Sequence, residues 1–124
     1  GAMSSSISHV AINAEDPKVT LAFYEGVFGW RFKEAYPGFF RMEVEHAVQA
    51  IAVQQRRDLL PDGPTTGLEV TIAVPDLKVA VDAAIALGGE MLVEPTVIPG
   101  VGELAWLRDP SGNVVGAMAY ANGA

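Results

Sequence analysis

Apolar residues recur along this chain in two periods. Residues 7–13 alternate apolar with polar positions, the period of a half-buried strand. Asp16-Pro17 follows as a helix start, with the aspartate able to accept from orphan amides and the proline pre-set for a first turn. Val19, Phe23 and Val27 then fall on one helical stripe with Ala22 and Gly26 beside them, which predicts the buried face, and Gly29 marks the stop. Residues 30–34, 39–44 and 47–54 read as strands, the first two separated by a Tyr36-Pro37-Gly38 turn. Residues 55–66, with Arg56-Arg57 and Pro61-Asp62-Gly63-Pro64, read as a polar linker and the arginines as a solvated pair.

The same order then returns. Residues 68–74 read as a strand, 76–87 as a helix stopped by Gly88-Gly89, and 91–98, 103–107 and 114–120 as strands. Asp109-Pro110-Ser111-Gly112-Asn113 is a tight-turn sequence between the last two. Sliding the chain by sixty positions lays His9-Val10-Ala11-Ile12 on Glu69-Val70-Thr71-Ile72, Lys18-Val19 on Lys78-Val79, and Gly29 on Gly89. Self-similarity of this kind marks two copies of one unit. The predicted fold class is therefore α+β, built of two tandem βαβββ modules. In each module a sheet packs its helix on one face and leaves the other open, and the two open faces are expected to curve into a cup. The expected organisation is one domain over 7–120, with module one at 7–54, the linker at 55–66 and module two at 67–120. Residues 1–6 read as an expression scar and N-terminus, and 121–124 as a tail.

Composition narrows the chemistry. Cysteine is absent, which removes disulfides, thiolate metal sites and cysteine nucleophiles. The formal net charge is -7, with six basic against seven acidic residues over 1–60 and two against eight thereafter. A chain without a Lys/Arg cluster is not expected to bind nucleic acid or an anionic membrane, since both need phosphate-neutralising charge. Charged residues, Gly or Pro interrupt every apolar run before a spanning length, and no apolar signal segment follows the opening serines. A cytoplasmic location is the expectation.

The paired strand openings, Phe23-Tyr24 followed by Val27-Phe28-Gly29-Trp30, Leu87-Gly88-Gly89, and the Asp109-Pro110-Ser111-Gly112-Asn113 turn together resemble the vicinal oxygen chelate superfamily. Its members include glyoxalase I, bleomycin resistance proteins, fosfomycin resistance proteins and extradiol dioxygenases. The resemblance implies a divalent metal at the base of the cup, held by a His or Glu on each first strand and a Glu or Gln on each last strand. Carried onto this chain, those positions are His9, Ala50, Glu69 and Gly116, the last counted four places beyond the glycine of the turn. Ala and Gly have no ligating side chain, so the metal site reads as vestigial and no cofactor is expected. Gln49 and Gln54 are the nearest substitutes on the first module.

The residues around those positions suggest a pocket. Strand alternation puts His9, Ala11 and Asn13 on one face, and likewise Glu69, Thr71 and Ala73, Val48, Ala50 and Ala52, and Val114, Gly116 and Met118. This gives a small, mostly apolar floor with His9, Asn13, Glu69 and Thr71 as polar groups, and Trp30, Phe40, Met42, Trp106 and Tyr120 as candidate walls. His46 reads as surface. One function that fits is metal-free binding, in which a homodimeric protein of the bleomycin-resistance type sequesters a small aromatic or cationic compound. A second is an enzyme of lyase, isomerase or dioxygenase type, in which His9 and Glu69 serve as acid and base or as part of an atypical divalent-metal site, and a third is a degenerate family member with a structural or regulatory role.

Overall fold

The computed structural model describes residues 5–43, 50–61 and 63–121. In chain order the elements are β1 (Ser6–Ala14), α1 (Pro17–Phe28), β2 (Phe32–Tyr36), β3 (Phe39–Met42), β4 (Ala50–Gln55), β5 (Leu68–Ala73), α2 (Leu77–Ala86), β6 (Glu90–Ile98), β7 (Gly102–Arg108) and β8 (Val114–Tyr120). The βαβββ order thus occurs twice, and the fold is α+β. Chain contacts divide it into a first unit, His9–Glu69, and a second that joins the start of β1 through Ser8 to the chain from Val70 onward. His46, Val48 and Gln49 lie outside the described residues. No helix among those described is long and apolar enough to cross a membrane.

In the first unit the strands run in the order β2-β3-β4-β1. β1 and β4 are parallel with His9 opposite Ala50, Ala11 opposite Ala52 and Asn13 opposite Gln54. β3 is antiparallel to both neighbours, placing Phe39 opposite Gln54 and Arg41 opposite Ala52. In the second unit the order is β5-β8-β7-β6, with β5 parallel to β8 and Thr71 opposite Gly116. Parallel partners need a crossover between them, and each module supplies its helix as part of it.

Both helices start as the sequence dictates. The Asp16 carboxylate accepts from the Lys18 amide at 3.2 Å, Pro17 opens the first turn, and Gly29 closes the helix at φ +73°. Asp76 accepts from the Val79 amide at 3.1 Å. The turn between β7 and β8 is held by Asp109, whose carboxylate accepts from the Ser111 and Asn113 amides at 2.9 Å each and from Asn113 Nδ2 at 3.0 Å. Those bonds, led by the ones from Asn113, hold the Asp109 carboxyl below its usual range.

The buried face of each helix is a correction to the sequence reading. Val19 is 67% exposed, Phe23 57% and Val27 58%, and the equivalent Val79 and Leu87 are exposed as well. The face that packs is rotated by two residues. Leu21 and Tyr24 lie on Ile12, Ala14 and Val53 in the first unit, and Leu77, Val81 and Ala84 lie on Ala105, Leu107 and Ala117 in the second. Two residues along an α-helix turn it by about 200°, so the two stripes point nearly opposite ways. Both helices are apolar enough to offer either face, and periodicity alone does not choose between them.

Candidate functional site

Register assigns the faces. Ile12, Ala14 and Val53 pack toward α1, so His9, Ala11, Asn13, Ala50, Ala52, Gln54, Phe39 and Arg41 face the other way. On that far face of the first unit a buried polar network replaces the expected pocket. Glu69 is only 2% exposed, against the strand-edge exposure typical of its residue type. Its carboxylate pairs with Arg57 through one oxygen and accepts from Asn13 Nδ2 at 2.9 Å through the other. Asn13 Nδ2 also donates to the Gly67 carbonyl at 3.1 Å, while its Oδ1 accepts from Gln54 Nε2 at 3.0 Å and from Thr65 Oγ1 at 3.3 Å. Thr65, 1% exposed, closes the circuit with backbone bonds to Arg57, its amide donating to the Arg57 carbonyl at 2.7 Å.

Asn13 and Glu69 therefore meet, as their shared role in a pocket would require, but each is the other's hydrogen-bond partner. Arg57 is the residue that sequence reasoning missed. Its place in a polar linker suggested a solvated pair with Arg56, whereas its side chain reaches back to the strand that follows the linker. One signal was available: a Glu assigned to the inner face of a strand needs a cation, and the arginines twelve and thirteen positions earlier were the nearest at hand.

His9 is half-buried and makes no hydrogen bond with Glu69 among the described residues. Its ring stacks on Phe39, with centroids 6.1 Å apart and planes 11° apart. Phe39 stacks in turn on Tyr36 at 4.7 Å and 6°. Burial lowers the His9 pKa below the ordinary 6.5, and the Arg41 and Arg57 guanidiniums lower it further against the opposing pull of Glu69. Burial and the two guanidiniums thus favour the neutral imidazole. Ala11 and Ala52 occupy the register position between the His9 and Phe39 rows, and both are buried. Ala11 and Ala52, two residues of the small floor that alternation suggests, are thus buried on the face that carries these rings.

In the second unit Gly116 sits on β8 facing Trp106 of β7 and Thr71 of β5. A Cβ built on Gly116 would come within 2.8 Å of the indole Cζ3 and 3.0 Å of Thr71 Oγ1. The indole fills the place of a side chain here, so the glycine leaves no vacant room. Thr71 and Met118 are buried on the same face. The pairing of Ala50 with Gly116 as equivalents is also corrected by the register. Ala50 lies opposite His9, whereas Gly116 lies opposite Thr71, two places beyond Glu69.

Three of the proposed walls belong to the helix side instead. Trp30 packs on the α1 core and stacks on Tyr24 at 5.4 Å. Phe40 lies opposite Val53 and Met42 opposite Phe32, both partners in that core. The aromatic residues that line the far face are Phe39 and Tyr36, one and four positions away along the same hairpin. Among the described residues no group of three or more His, Cys, Asp or Glu side chains stands close enough to hold a metal ion.

Residues 9–117 match the family model described as a glyoxalase-like domain. The proteins named "Putative glyoxylase CFP32" in Mycobacterium bovis and Mycobacterium tuberculosis are each 30% identical over 118 residues, covering 84% of this chain. The chain spans about 40% of the length of those curated relatives. Among solved structures, hypothetical protein BH1468 from Bacillus halodurans C-125 superposes with a TM-score of 0.69 at 19% identity, covering 98% of this chain and 99% of that one. Methylmalonyl-CoA epimerase from Mycobacterium tuberculosis superposes at 0.64 and 17%, covering 93% and 87%. A glyoxalase/bleomycin resistance protein/dioxygenase superfamily member from Vibrio splendidus 12B01 does so at 0.64 and 16%, covering 94% and 99%. At these identities the structures speak to fold.

Proposed function

The chain belongs to the glyoxalase-like domain family, and on that premise we propose that it binds a small planar molecule without the aid of a metal ion. The observation that carries this reading is the commitment of Glu69. Of the four positions that the resemblance assigns to metal, two are Ala50 and Gly116, which offer no donor atom. A third, Glu69, has both carboxylate oxygens engaged, and a guanidinium on one of them repels a divalent cation. His9 alone is left, and one imidazole falls short of the three protein ligands that hold a catalytic ion. This donor set does not fit a divalent metal.

The same commitment weighs against a metal-free acid–base pair. A carboxylate locked to Arg57 and Asn13 is a poor proton acceptor for a substrate, and the imidazole stacked on Phe39 accepts or donates no carboxylate hydrogen bond among the described residues. What the face still offers is an array of near-parallel rings beside polar groups, the usual equipment of a binding site. Calorimetric titration with nickel, zinc, manganese and iron(II) is expected to show no stoichiometric binding. Tight binding at one ion per chain, lost on His9→Ala, would overturn the reading.

A further inference from the structure

Two cations stand side by side on the far face of the β2–β3 hairpin, on a protein whose formal net charge is -7. Lys33 lies opposite Arg41 across the β2–β3 ladder, and Tyr36 lies opposite Phe39 in the next row. A bulge between Glu34 and Tyr36 adds one residue to β2, which brings Lys33 and Tyr36 onto the same side despite their odd spacing. Lys33 and Arg41 are both exposed, and neither has an acidic partner among the described residues. Arg57 has the same sign, but its charge is met by Glu69.

Beside these two cations stands the stack of His9, Phe39 and Tyr36. The first two rings are half-buried, while Tyr36, at the end of the stack, is 57% exposed. A flat ring laid on the outer face of Tyr36 would extend the stack by one member, in the offset geometry that aromatic pairs favour. An anionic group on that ring would meet the guanidinium of Arg41 and the ammonium of Lys33, one row away. A cation placed there would be repelled by both, which turns the acidic overall balance into a poor guide to the ligand.

From this juxtaposition we infer that the surface formed by Tyr36, Phe39, Arg41 and Lys33 selects a planar aromatic molecule carrying a carboxylate or comparable anion. The inference rests on the binding reading above and names its ligand class. The lowered pKa of His9 is consistent with it, since Arg41 contributes to the positive potential felt there.

The test uses four probes on the intact chain: 2-naphthoate, neutral 2-naphthamide, cationic 2-naphthylmethylammonium, and cyclohexanecarboxylate, an anion without a flat ring. Binding is followed by calorimetry and by perturbation of the Tyr36, Phe39 and His9 ring resonances. Naphthoate is expected to bind best, to weaken as sodium chloride is raised, and to lose about tenfold in affinity on Arg41→Gln, the loss of one charge-assisted hydrogen bond. Tyr36→Ala should weaken naphthoate and naphthamide alike. Because both side chains are exposed, an unchanged unfolding temperature without probe serves as the folding control for each variant.

Equal or better binding of the amide or the ammonium probe would overturn the anion selectivity and leave the binding reading standing. Naphthoate binding that is indifferent to both Arg41→Gln and Lys33→Gln would do the same. Naphthoate binding that appears only with added divalent metal would leave the anionic site standing and overturn the metal-free reading. Failure of all four probes at millimolar concentration would overturn both.

Discussion

Burying the Glu69 carboxylate would cost several kcal/mol without a cation beside it, and Arg57 supplies that cation. Arg57→Ala removes the partner but leaves the charge in place. Because the Arg57 side chain is itself 32% exposed, the loss should fall below that of a fully buried pair, at about 2 kcal/mol of unfolding free energy in urea titration. An unchanged midpoint would show the pair to be ornamental. His9 gives a second residue-level expectation. Its folded pKa lies below the ordinary 6.5, so on acidification the unfolded chain takes up the proton first. Its contribution to stability is therefore complete above 6.5 and is lost as pH falls from there toward the folded value. Comparing wild type with His9→Gln across that window isolates the term, and a wild-type curve no steeper than the variant's would contradict it. His9 was legible as a site position from the repeat. Its lowered pKa was not, because the burial of the ring is set by the packed sheet and Arg41 and Arg57 come near it only through the register of β3 and the return of the linker.

At the scale of elements, the strand pair β7–β8 shows a substitution that is coupled across the ladder. Gly116 has no side chain where Trp106, directly opposite, lays its indole. Gly116→Ala should destabilise the protein by about 1–3 kcal/mol through overpacking, and the added change Trp106→Leu should relieve most of that cost. Thermal unfolding of both single variants and the double variant tests the coupling, and additive effects would refute it. The boundaries of elements were mostly readable, since Asp16-Pro17, Gly29, Asp76 and the Asp109 turn each act through local hydrogen bonds or a local dihedral. The faces of the helices were not. Val19, Phe23 and Val27 form as good a stripe as Pro17, Leu21 and Tyr24, and the choice between them was made by the sheet on which the helix settles. The same ambiguity placed Phe40 and Met42 in a pocket when their strand turns them toward the core.

For the molecule as a whole, the sixty-residue repeat accounts for the fold and the divergence of its copies accounts for the chemistry. The unit His9–Glu69 carries six of the eight basic residues and the aromatic hairpin, while the second has filled its equivalent face with an indole, a buried Thr71 and Met118. By itself the sequence determined the class of fold, the two-module order, the helix caps, the tight turn and the loss of donors at Ala50 and Gly116. Each of these depends on residues adjacent in the chain or on an offset that can be counted. Tertiary structure decided which helical stripe is buried, that Glu69 belongs to Arg57 and Asn13, and that Lys33, Tyr36, Phe39 and Arg41 share one surface. Those facts rest on strand register, on one bulge in β2 and on a side chain reaching twelve positions along the chain. Such pairings are selected by burial and charge in three dimensions, which no local period records.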